Sequence, residues 1–431
     1  MGAQLVFVLT KALPLRFVYD GLEPTTGIPV TTDNRPLAGI TVIDAATFIA
    51  APVAAGILAE FGAEVLKVEK PGTGDPLRRL GTPSGRPDAS LYWMNDARNR
   101  RSITLDLRKP KGAAIFKRLA GQADVVVENF RPGTLERWGL GYDVLRAENP
   151  GLVLLRLTAY GQTGPYKDRV GFARMAHAMS GVGYLAGDPD RPPSNPGPPS
   201  LADYVSAVYA ALGVLLALKA RERDGQGQVV DIALYEAMFR SLDECLPAFA
   251  KYGKIRERDG SRTSNAAPNA NFPTRDGKWV SLTTADDKTF ASVAAAMGCP
   301  DLVSEPRFAT MTERIANREA LEDMVADWTR TLEREALITQ CETHDVPCMA
   351  VLSIADIWDN AQFRAREMFV TLRDPEAGDI VLPNVVPKLS RTPGRVESLG
   401  PALGDANDDV YRGRLGMSEK EIAALKAEGV I

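Results

Sequence analysis

The chain has 431 residues, 45% apolar and 25% charged, an ordinary globular balance with room for two or three domains of about 150 residues each. A net charge of −4 excludes a general nucleic-acid binder, so any anionic ligand needs a local basic patch. Two histidines (His177, His344) and four cysteines without CxxC spacing exclude a multi-histidine metal centre and a disulfide framework, and they fit a reducing cytoplasm.

Residues 1–36 read as an irregular extension, since Lys11 and Arg16 interrupt the apolar start and no basic-then-apolar order of a secretion signal is present. From Leu37 onward short apolar runs alternate with helical stretches. Gly39–Asp44, Glu64–Glu69, Arg101–Asp106, Asp124–Glu128 and Leu152–Leu157 read as strands. Pro52–Phe61 and the stretch opening at Pro110 read as helices, the latter with proline in the favoured first turn. This alternation predicts an α/β fold with a doubly wound parallel sheet.

A proline-rich loop over 187–200 then gives way to a nearly uncharged helix from Asp203 to about Ala220. Its uncharged run, Tyr204–Leu218, falls short of the ~20 residues that cross a bilayer, so no membrane span is expected. Arg221–Gly227 is a charged, glycine-containing break. The expected division is therefore an N-terminal part of a large domain over 37–225, a smaller α+β domain over 226–330, and a return to the large domain over 331–431. Within the small domain Phe272–Leu282 reads as a hairpin on Asp276-Gly277, with helices near 287–297 and 318–329; a further helix is expected near 333–343. Strand character resumes at Val346–Leu352 and Asp379–Leu389, and Ser418-Glu-Lys-Glu421 is a capping box opening a final helix.

Asp203 admits two roles. Aspartate at a helix start ordinarily caps exposed amides. The same carboxylate, held ionised by the helix dipole, can also attack an activated acyl group such as a thioester. A second constellation is basic: Lys67, Lys70, Arg78, Arg79, Arg98, Arg100, Arg101, Arg108, Lys109, Arg131 and Arg137, many just after strands, where open α/β sheets bind ligands. Singly these are surface charges; together they suggest a phosphate-bearing ligand. Pro71-Gly-Thr-Gly-Asp-Pro76 lacks the third glycine of a dinucleotide fingerprint. His177 reads as a packing residue and His344 as a helix-end cap, while Glu128 and Glu236 are acids without an assigned role.

Seven motifs stand in order: Pro36–Asp44, Phe61–Asp75, Asn99–Asp106, Asp124–Gly133, Thr158–Pro165, Leu201-Ala-Asp203 and Gly225–Asp231. In this the chain resembles the class III CoA-transferases, the CaiB/BaiF or formyl-CoA transferase type, from about residue 36 to the C-terminus. The resemblance implies a Rossmann-like large domain and an interlocked homodimer. It also implies that Asp203 is the catalytic nucleophile. Coenzyme A would be bound at Ile49, Ala50, Lys70, Leu105, Arg108, Asn129, Phe130, Arg131, Arg137, Arg169 and Phe172, with no metal.

The implied reaction moves CoA from an acyl-CoA to a free carboxylic acid acceptor through covalent aspartyl intermediates, with amides near the helix start stabilising the oxyanions. Three departures narrow it. Ile49 stands where formyl-CoA transferases have glutamine, their glycine-rich loop is not visible in Arg256–Asn271, and Ala173 replaces the aspartate of the acyl-CoA racemases. A small dicarboxylate such as succinate is therefore expected as one partner, with Arg174 or Arg262 as holders of a second carboxylate. A racemase and a non-catalytic acyl-CoA-binding protein are the alternatives.

Overall fold

Short runs of valine, leucine and isoleucine form the first sheet, and their alternation decides what lies on each face. In this computed structural model, which describes residues 33–431, the strands are β1 (Thr41–Asp44), β2 (Glu64–Glu69), β3 (Arg101–Thr104), β4 (Val125–Glu128), β5 (Val153–Thr158) and β6 (Val229–Ala233). The extension expected at 1–36 lies almost wholly outside the described residues. All neighbouring strands pair in parallel, in the order β3-β2-β1-β4-β5-β6. This is the doubly wound α/β fold, with both faces of the sheet covered and β4 buried throughout.

Val42, Val125 and Val127 point to one layer, with α1 (Ala50–Glu60) and α5 (Leu201–Asp224); between these helices in sequence come α2 (Leu91–Asp96), α3 (Pro110–Ala120) and α4 (Ala173–Met179). Ile43 and Val126 point to the other layer, against Phe116 and Leu119 of α3 and the C-terminal segment around Tyr411. Helix α5 lies close on the sheet because its packed face is small. A Cβ added at Gly213 would stand 2.7 Å from Val230 of β6, and the helix ends on left-handed Gly225. The helix is long and apolar enough to cross a membrane by length and composition, yet Ala207, Ala210, Ala211 and Val214 are packed in this core.

The second sheet is antiparallel: β7 (Asn269–Pro273) and β8 (Trp279–Thr283) form the hairpin about Asp276-Gly277, and β9 (Cys348–Ala350) joins β8. Helices α6 (Asp287–Ala296), α7 (Arg318–Thr329) and α8 (Arg334–Thr343) pack on it. Two expected boundaries shift. Strand β6 pairs with β5 along five residues, so the parallel sheet continues past 225, and β9 keeps the chain with the antiparallel sheet beyond 331. Breaks in composition marked loops there, whereas strand pairing decides membership. A further hairpin, β10 (Phe369–Asp374) and β11 (Gly378–Pro383), packs Ile380 and Leu382 beside Trp93, Leu77 and Ile49. Ser418 caps the final helix, Glu419–Ala427, accepting from Glu421 N at 3.3 Å.

Candidate active site

Strand order reverses between β1 and β4, and the crevice beyond their carboxyl ends is where such sheets hold ligands. The loops after these strands are tied to each other. Asn129 accepts from Thr47 N at 2.9 Å and donates to Thr47 O at 2.7 Å. Phe130 N donates to Glu128 at 2.7 Å; burial pushes the Glu128 carboxyl up to about 6, although Arg156 pairs with it at 2.6 Å. The next residue after Thr47 is strained: Phe48 has φ 63°, a left-handed conformation that costs a non-glycine residue about 1–3 kcal/mol. Its amide is held by Asp75 at 3.2 Å, and Asp75 is paired with buried Lys67 at 3.0 Å.

The opposite wall is the start of α5. Here the expected cap is corrected: Ser200 occupies the cap position, and Asp203 lies in the first turn with no hydrogen bond to its carboxylate among the described residues. Burial pushes Asp203 up to about 7, with the neighbouring charge of Asp96 adding to the effect. Burial also raises Asp96, which accepts from Tyr204 OH at 2.9 Å. His177, expected only to pack, accepts the Ala202 N–H at Nε2 (3.1 Å) and so bonds the helix start. Burial, followed by the charge of Arg174, holds its pKa below the usual value. With Leu201, Asp203 and Tyr204 amides given to Pro198 and Ser200 carbonyls, no amide of this turn is left for an oxyanion. Amides without an acceptor among the described residues instead stand at the start of α1, those of Ile49 and Ala50 among them.

Between these walls lies a cavity of about 540 Å³. Of the residues predicted from sequence it gathers Asp203, Ile49, Ala50, Asn129, Phe130, Arg131, Arg169 and Phe172, together with Arg174, Lys167, Tyr160 and Phe48. Pro199 and Ser200, the end of the proline loop, also line it. Among the described residues Asp203 is the one carboxylate on its wall, which it shares with Arg131, Lys167, Arg169 and Arg174, none of which has an ion-pair partner among those residues. A groove of about 200 Å³ adjoins it through Thr47 and Phe130 and holds Lys70, Leu105, Arg108 and Trp138. Arg137 is exposed, bonded to Thr134 at 2.7 Å, and lines neither space.

The basic constellation divides. Lys67, Arg78, Arg98 and Arg100 are not surface charges but bind Asp75, Glu69, Glu60 and Asp44 inside the fold. Arg108 pairs with Asp106 at 2.7 Å, which lowers the Asp106 carboxyl. Lys70, Arg131 and Arg137 keep no carboxylate partner among the described residues. Arg262 is engaged by Glu322 at 2.6 Å and lies away from the cavity, which leaves Arg174 of the two suggested carboxylate holders. Sequence reading missed Phe48, whose backbone is set by distant Asp75 and Asn129, and Asp96, which reaches the site from 107 residues before Asp203. Among the described residues no group of three or more His, Cys, Asp or Glu is placed to hold a metal.

A mostly apolar cavity with one poised carboxylate, unpaired cations and a side groove suits an extended anionic ligand with a reactive end. The family model for CoA-transferase family III matches residues 37–407.

The chain belongs to CoA-transferase family III.

It is 49% identical over 403 residues to the beta subunit of succinyl-CoA–L-malate CoA-transferase from Chloroflexus aurantiacus, covering 93% of this chain and 99% of that protein. The alpha subunit from the same organism is 45% identical over 414 residues, covering 95% and 97%. Among solved structures, a CaiB/BaiF family protein from Brucella suis superimposes with a TM-score of 0.79 at 31% identity, covering 88% and 99%. As a family III CoA-transferase the protein moves CoA from an acyl-CoA to a carboxylic acid.

Proposed function

We propose that Asp203 is the nucleophile of this CoA-transferase and that a small dicarboxylate, succinate or a close relative, is one of its acids. The observation that carries the reading is the isolation of Asp203: one unpaired carboxylate in a cavity whose other charged groups are all cationic. A carboxyl near pH 7 is substantially ionised at neutral pH yet more nucleophilic than an ordinary aspartate. It attacks the thioester carbonyl, forming an aspartyl anhydride and releasing CoA thiolate. The thiolate attacks the aspartyl carbonyl, freeing the donor acid and leaving an aspartyl-CoA thioester. The acceptor carboxylate then opens that thioester, and the thiolate returns to the acceptor carbonyl.

The uncapped start of α1 supports an oxyanion site at the Ile49 and Ala50 amides, with the helix dipole behind them. The main cavity and the Lys70–Leu105–Arg108 groove together support a path for CoA. Arg174, one turn before His177 on α4, is suited to the distal carboxylate, and the names of the Chloroflexus relatives support succinyl-CoA as donor. The outer side of α5 exposes Val208, Tyr209, Leu212, Leu215 and Leu216, which supports burial against a second copy. Four free cysteines agree with a cytoplasmic setting.

The test is chemical trapping. Incubation with succinyl-CoA and hydroxylamine should convert Asp203 to a hydroxamate detectable by peptide mass. Transfer retained by Asp203→Ala, or a hydroxamate on another residue, would remove the assignment.

A further inference from the structure

The strain at Phe48 has no local cause. Glycine would take φ 63° without cost, yet a phenylalanine stands there, held at two points by the Asn129 clamp on Thr47 and the Asp75 carboxylate on its own amide. The anchors are rigid: Asp75 also caps Leu77 N at 2.9 Å and is paired with buried Lys67. What this arrangement achieves is a ring placed on the cavity wall. It meets Phe172, at the entry to α4, edge to face with centroids 6.3 Å apart. The two rings come from loops 124 residues apart in sequence, both line the cavity that holds Asp203, and they remain 38% and 59% exposed.

We propose that Phe48 and Phe172 form an aromatic shield that closes over the acyl end of a bound thioester and keeps water from the activated acyl group. The proposal rests on the covalent reading above. An aspartyl anhydride is open to water at either carbonyl. Attack by water forms a new C–O bond, breaks the anhydride C–O bond and regenerates the Asp203 carboxylate. The acyl group leaves as its carboxylate, two protons pass to solvent, and the displaced thiolate takes one of them. The net result is hydrolysis of the acyl-CoA rather than transfer. Two exposed apolar rings across the mouth of the site are suited to prevent this, because a ligand chain lying against them covers the rings and excludes water together.

The experiment compares the full-length chain with Phe48→Gly, which keeps the backbone turn and removes the ring, and Phe172→Ala, which acts at an unstrained position. Each is given succinyl-CoA with and without an acceptor acid. Free thiol released without acceptor reports hydrolysis, and new acyl-CoA reports transfer. The ratio of hydrolysis to transfer should rise about tenfold in each variant, and the double variant should add little, since the rings act as one unit. An unchanged ratio in both single variants, with transfer persisting, overturns the shield. If the unaltered chain transfers CoA but Asp203 is never trapped by hydroxylamine, the covalent reading fails first and the shield falls with it.

Discussion

Behind β1 and β2, three acids and three bases are buried together, and each is matched: Asp44 with Arg100, Glu69 with Arg78, and Asp75 with Lys67. Across the cavity, at the start of α5, Asp203 has no ion-pair partner among the described residues, and the charge that acts on it is that of another acid, Asp96. The two regions are made of the same residue types and serve opposite ends. In the first, pairing cancels the cost of burial and fixes the loops that carry Phe48 and Ile49. In the second, the charge is left without an ion pair, which sacrifices stability and, on the proposed reading, keeps a reactive oxygen available. Pairing, rather than burial or residue type, separates scaffold from chemistry in this protein.

The contrast can be broken most strongly on its structural side. Arg78→Met leaves Glu69 buried without its bidentate partner and removes the cation stacked 3.9 Å over Trp93, so urea denaturation should show a loss of about 3–5 kcal/mol. On the chemical side the sign reverses. Folding takes up a proton at Asp203 between about pH 4 and 7, so the group's contribution to stability declines across that window and is lowest above pH 7. Asp203→Asn should therefore be more stable than the parent at pH 8, on the order of 2 kcal/mol after allowance for partial exposure, and the advantage should vanish near pH 4.

Activity sharpens the same comparison. In the proposed mechanism the ionised Asp203 carboxylate is the attacking form, so kcat/KM for transfer should fall about tenfold per pH unit below a midpoint near 7, instead of near 4. Asp96→Asn keeps an acceptor for Tyr204 OH and removes the like charge, so that midpoint should move to lower pH; a midpoint unmoved or raised would deny Asp96 its influence. The smallest effect belongs to the antiparallel hairpin near the C-terminus. Arg373 pairs with Asp379 at 2.8 Å with both side chains mostly exposed, and Arg373→Ala should change thermal stability by less than about 0.5 kcal/mol.

The sheet was readable in the sequence because parallel strands buried on both faces are continuous apolar runs, as in Val125–Glu128, punctuated by glycine and proline. Asp203, Ile49 and Asn129 were reachable through motif resemblance. Three things were not readable. The basic cluster reads as one group because nothing local in Lys67, Arg78 or Arg100 announces the carboxylates that neutralise them; Arg100 and Asp44 are 56 residues apart. Phe48 gives no propensity signal for a left-handed backbone, which is imposed from elsewhere in the chain. The domain limits followed composition, whereas β6 and β9 are assigned by pairing across long connections. The capping expectation for Asp203 failed by only three residues, but that offset turned a stabilised anion into a destabilised one.

Helix α5 runs unbroken for 24 residues, about 36 Å, from the turn that carries Asp203 to the charged turn before Gly225. Its exposed apolar stripe lies along the same rigid rod. With the proposed second copy packed on that stripe and Asp203 as the proposed nucleophile, assembly and catalysis share one mechanical part, and whatever grips the outer half of the rod also steadies its tip. Specific activity should accordingly decline on dilution, with enzyme concentration acting as a control on the nucleophile's aim.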